Sequence, residues 1–83
     1  MSRVMKYVMF DSDTPIIFPD HVTHANMAHT QGMPATSAGF VHIGGRDEYG
    51  NPQFVCYGES VSLRLKSNEK DSQIMNRTFG TTY

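Results

Sequence analysis

Residues 3–10 read Arg-Val-Met-Lys-Tyr-Val-Met-Phe, and this stretch decides the architecture. Val4, Val8 and Phe10 share one parity; Met5, Tyr7 and Met9 share the other. Side chains on a strand alternate between faces, so a strand apolar on both parities is covered from both sides. A central strand with cover above and below is the expectation from which the remaining elements are placed.

The next residues, Asp11-Ser12-Asp13-Thr14-Pro15, form a turn, since their short polar side chains bond to nearby backbone. Ile16-Ile17-Phe18 then runs between Pro15 and Pro19. Proline donates no hydrogen bond to a ladder, so this second strand belongs at a sheet edge. A short helix is expected over 21–29, capped by Asp20, with Val22, Ala25, Met27 and Ala28 as a thin apolar side. Gly32 and Pro34 break the loop 30–37. A strand over 38–43, a polar loop over 44–52 and a returning strand over 53–57 follow.

From Val61 to Leu65 the sequence alternates strictly, Val-Ser-Leu-Arg-Leu. Either the strand continues through a bend at Gly58, with Ser60, Ser62, Arg64 and Lys66 facing water, which is the preferred reading, or the chain makes a bulge or tight turn there. The last helix spans 69–79, capped by Ser67 or Asn68. Asp71 lies in its first turn, Arg77 in its last, and Gly80 follows as terminator. Ile74, Met75, Thr78 and Phe79 make the stripe that docks on the sheet. The fold class is therefore α+β: one domain over 1–83, with an antiparallel sheet of about four to five strands, a short helix after strand 2 and a C-terminal helix packed on the sheet.

Totals narrow the function. A chain of 83 residues buries only about 60–65% of the surface its unfolded form exposes, so its core is thin. Cys56 is the single cysteine, which excludes an internal disulfide. Seven Lys and Arg against eight Asp and Glu give a net charge of −1. Scattered cations disfavour nucleic acid, although Arg64, Lys66 and Lys70 beside Tyr57 leave a weak nucleic-acid binder as one alternative. No apolar run nears the roughly 20 residues of a membrane span. The N-terminus lacks the apolar core of a signal peptide, so cytoplasm is the expected compartment, and the sequon Asn76-Arg77-Thr78 is expected to go unmodified.

Two patterns carry possible chemistry. The run Tyr7-Val8-Met9-Phe10-Asp11-Ser12-Asp13-Thr14 resembles the first motif of the haloacid-dehalogenase phosphotransferases. That resemblance implies Asp11 as nucleophile and Mg²⁺ held with Asp13. Pro15 stands where that family carries Thr or Val, and the chain is shorter than that family's doubly wound domain. A turn in which both aspartates accept backbone N–H bonds is the competing reading. The second pattern is His21-x-x-His24-x-x-x-x-His29, with His42 further on. Asp11 and Asp13, or the histidines His21, His24 and His29, are the candidate ligands for a divalent metal, as a binding module or a metal-dependent hydrolase. The stretch is not HExxH, and Gly58-Glu59-Ser60-Val61-Ser62 lacks the second glycine of a nucleophile elbow.

No complete catalytic motif results, and neither a catalytic nor a cofactor-binding residue is assigned. The expectation is a non-catalytic interaction or structural protein, self-associating as a homo-oligomer or docking a protein partner. Its expected interface is the edge strand Ile16, Ile17 and Phe18 with Met27 and Met33. Small accessory proteins of phages and mobile elements are of this general kind, although no residue points to that origin.

Overall fold

The computed structural model describes residues 4–46 and 48–79. Arg3, Gly80 and the tail 81–83 lie outside the described residues. The elements are β1 (Met5–Phe10), β2 (Thr14–Phe18), α1 (His24–Gln31), β3 (Ala35–Arg46), β4 (Pro52–Tyr57), β5 (Glu59–Ser60), β6 (Leu65–Lys66) and α2 (Asp71–Phe79). Four strands form one antiparallel sheet in the order β2-β1-β3-β4, and β5 pairs with β6 separately. The α+β arrangement expected from the sequence is the one the chain adopts.

β1 is covered twice, as its two apolar parities require. Tyr7 and Met9 pack with Val41 and Met75 on one face, joined by Met5, Ile17, Phe54, Cys56 and Ile74; α2 covers this side. Val8, Phe10, Phe18 and Ala38 form the core of the other face. There the cover comes from Val22, Met27 and Ala28, on and before α1, and from Leu63 and Leu65 of the β5–β6 segment. Two thin cores on either side of one strand replace a single large one.

The β1–β2 connection is tighter than expected. The Asp13 amide donates to the Phe10 carbonyl at 3.1 Å, and both central residues have positive φ, Asp11 at 52° and Ser12 at 68°. This is the hairpin geometry whose twist matches that of the flanking strands, and Asp is among the few side chains that tolerate it. α1 starts three residues later than predicted. The Val22 amide bonds the Pro19 carbonyl at 3.1 Å, so Asp20 and His21 sit inside a turn. Thr23 takes over as cap, its Oγ1 accepting from the Asn26 amide at 3.1 Å. Gly32, at φ 67°, ends the helix in the left-handed conformation.

The preferred long strand through Gly58 is not formed; the other reading, a tight turn at that glycine, is the one the chain adopts. Gly58 has φ 78°, and the chain leaves the sheet there. A Cβ at Gly58 would meet the Phe40 ring at 3.0 Å, so a side chain would obstruct the turn. The segment folds back over the α1 side, and the Ser67 amide donates to the Gly58 carbonyl at 2.9 Å to close the excursion. Here Leu63 and Leu65 still point inward, but Ser60 is buried and Val61 is 84% exposed. The buried Ser60 Oγ accepts from the Leu63 amide at 3.2 Å, holding the turn. Ser62, Arg64 and Lys66 face water as expected; Ser60 does not.

Both edges of the main sheet are blunted. On β4, the Asn76 side chain of α2 accepts from the Phe54 amide at 2.6 Å and donates to the Phe54 carbonyl at 3.2 Å. Ser72 Oγ, one helical turn earlier, accepts from the Cys56 amide at 2.8 Å. Side chains four apart on a helix thus meet backbone groups two apart on a strand. On β2, the ladder register sets Phe10 opposite Thr14 and Val8 opposite Ile16. Thr36 Oγ1 of β3 donates to the Met9 carbonyl at 3.3 Å, which places the odd backbone groups of β1 toward β3 and the even ones toward β2. Opposite residues of an antiparallel pair turn their backbone groups either both inward or both outward, so Pro15 and Ile17, opposite Met9 and Tyr7, carry the outward groups of β2. Pro15 has no N–H to offer there, and Pro19 follows at the strand's end.

Candidate functional site

Two polar or aromatic constellations stand out. The first lies under the start of α2. The Tyr7 hydroxyl donates to Asp71 Oδ2 at 2.5 Å, and the Asn68 amide donates to the same oxygen at 2.9 Å. Asn68 Oδ1 in turn accepts from the Lys70 amide at 3.0 Å, a reciprocal cap of the capping-box type. Burial and the adjacent carboxylate push the Tyr7 phenol far above its ordinary range, so its proton stays in place to donate. Burial likewise pushes the half-buried Cys56 thiol up to about 11, with the Asp71 carboxylate adding to the rise. A thiol held protonated is a poor nucleophile. This cluster satisfies buried polar groups and anchors α2.

The second constellation is a groove on the opposite face. The strand registers align Phe18, Lys6, Phe40 and Tyr57 in one row across β2, β1, β3 and β4. α1 covers one end of this row and the β5–β6 segment folds over from the other side, but they leave a cleft between them. Lys6, His24 and Phe40 lie along it, with Tyr57, Glu59 and Val61 on its hairpin side. Its volume is about 580 Å³ and its lining is mainly apolar. Aromatic rings run through it in a chain. His24 meets Phe18 edge-on at 5.6 Å and Phe40 at 5.8 Å; Phe40 lies 6.0 Å from Tyr57, and Tyr57 5.6 Å from His42. Such edge and tilted contacts suit ring quadrupoles. Tyr57 at its rim and Val55 beyond it on β4 stay exposed on the same face.

His24 is fixed in this wall. Its Nε2 lies 2.8 Å from the Gly39 carbonyl, so Nε2 carries the proton and donates. Burial lowers its pKa below the ordinary value; the Gly39 carbonyl works against this and nearby Lys6 with it. Lys6 Nζ donates to the Val22 carbonyl at 3.1 Å, tying the segment before α1 to the sheet.

The residues named from sequence are dispersed. Asp11 and Asp13 occupy the exposed β1–β2 turn, where Asp13 Oδ1 accepts from Thr14 Oγ1 at 3.0 Å. His21 and His29 are exposed, His24 is buried, and His42 packs against Tyr57. Among the described residues, no group of three or more His, Cys, Asp or Glu side chains is placed to hold a metal ion. Phe18 belongs to the core; Ile16 and Met27 pack beside it, Ile17 lies on the α2 face, and Met33 is exposed. Arg64 and Lys66 lie on the β5–β6 segment, whereas Lys70 lines a separate crevice with Ser12 and Thr36. Among the described residues, no helix is long and apolar enough to cross a membrane.

The sequence reading missed the groove. Phe40, His42, Val55 and Tyr57 read there as ordinary members of two-sided strands. The signal that Val55 and Tyr57 stay exposed and Phe40 and His42 only half-buried is the brevity of α1 together with the Gly58 break, and neither is visible as a motif. Comparison with protein-family models, curated proteins and solved structures finds no match to this chain.

Proposed function

We propose that this chain is a non-catalytic interaction domain, and that it docks another polypeptide at the groove between α1 and the β5–β6 segment. The observation that carries the reading is the groove floored by half-buried Phe40 and rimmed by exposed Tyr57 and Val61, with exposed Val55 beside Tyr57 on the same face. A small domain that leaves such a patch bare loses burial it needs, and contiguous exposed apolar surface marks association sites. The blunted edges of β2 and β4 support a face over an edge as the place of contact. His24, which lines the groove, is committed to the Gly39 carbonyl, and this supports a binding role.

The test uses a small apolar probe. Titration with 8-anilinonaphthalene-1-sulfonate, followed by amide chemical shifts, is expected to perturb Phe40, Tyr57, Gly58 and Val61 together. Tyr57→Ser is expected to abolish those shifts. Binding elsewhere, or shifts spread evenly over the surface, would refute the docking site.

A further inference from the structure

We infer that the polypeptide occupying the groove is a second copy of this chain, packed face to face about a two-fold axis; this rests on the docking role proposed above. Val61 projects from the hairpin at the side of a groove floored by His24 and Phe40, so a knob and a hole lie next to each other on one chain. A two-fold axis places each knob in the other copy's hole, because in an isologous interface residue i meets j and j meets i.

Charge is complementary in the same sense. Lys6 and Glu59 both line the groove, and neither is in an ion pair with another described residue. Lys6 directs one donor to the Val22 carbonyl, and an ammonium has three. Under the two-fold axis, Lys6 of each copy meets Glu59 of the other, giving two equivalent ion pairs around an apolar centre. With a net charge of −1 the copies have little overall repulsion to overcome.

Symmetry makes the test specific. Sedimentation velocity over a concentration series is expected to show the wild type passing from one chain to two. Lys6→Glu and Glu59→Lys each turn both cross-pairs repulsive and are expected to weaken association by about tenfold or more. Mixing the two variants restores both pairs, Glu against Lys, so a heterodimer is expected to form where neither variant dimerises alone. Circular dichroism confirms that each variant is folded; should Lys6→Glu unfold through loss of its Val22 bond, Glu59→Lys with the weaker Lys6→Gln replaces the pair, and dimerisation of Glu59→Lys at wild-type strength overturns the inference. A wild type that stays a single chain at every concentration overturns it as well, as does a mixture of folded variants that stays monomeric. If the probe still binds at Tyr57 in those cases, the groove has another occupant and only the second-copy assignment fails; loss of both results removes the docking site itself.

Discussion

Asp71→Ala tests whether the buried cluster beneath α2 holds the fold. Asp71 is 2% exposed and Tyr7 fully buried, so solvent does not replace what is removed. The carboxylate accepts from the Tyr7 hydroxyl at 2.5 Å and the Asn68 amide at 2.9 Å. A hydrogen bond to a charged group contributes about 1.5–3 kcal/mol. The cap bond adds about 1 kcal/mol. Loss of both is expected to cost about 3–4 kcal/mol, because the phenol is left buried without an acceptor. At about 4–8 °C per kcal/mol for a domain of this size, the melting midpoint falls by roughly 12–32 °C. The assay is urea unfolding followed by far-ultraviolet circular dichroism, run as a double-mutant cycle with Tyr7→Phe. The expected coupling energy is about 1.5–3 kcal/mol, since Tyr7→Phe removes the same bond from the other side. A cost for Asp71→Ala below about 1 kcal/mol, or a coupling indistinguishable from zero, would show that the cluster is incidental to stability.

Two further outcomes follow from the structure. Asn76→Ala frees the outward amide and carbonyl of Phe54, so the urea midpoint should drop by the equivalent of about 1–2 kcal/mol and strand-edge aggregation should rise with concentration; unchanged midpoint and solubility would remove the edge-guard role. His24 has a folded-state pKa below its unfolded value of about 6.5, so its contribution is complete above that pH and is lost as pH falls toward the folded value. The urea midpoint should therefore fall between pH 7 and pH 5 more steeply in the wild type than in His24→Gln, and parallel pH profiles would contradict this assignment.

Several features were legible from residue order alone. The two apolar parities of residues 4–10 required cover on both sides of β1, and α2 and α1 provide it, because a buried strand of either parity has nowhere else to place its side chains. The prolines flanking Ile16-Ile17-Phe18 announced an edge strand, since a missing N–H is tolerated only there. The Asp71 and Arg77 positions marked the ends of the last helix through local electrostatics. Each of these is a near-neighbour property, determined by covalent geometry and by side chains a few residues apart.

Tertiary structure decided the rest. Residues 58–65 fold over the sheet from a left-handed Gly58, φ 78°, where a side chain would crowd the ring of Phe40, eighteen positions earlier. That one turn buries Ser60 and exposes Val61, although the alternation of Val61, Leu63 and Leu65 suggested a shared inward face. Asp20 read as a helix cap but entered a turn with Pro19, and Thr23 capped instead. The groove itself is a gap between two elements that pack on the same face of the sheet. No local pattern encodes a gap: it is set by how far α1 and the returning hairpin reach across the sheet, and so by the three-dimensional packing alone.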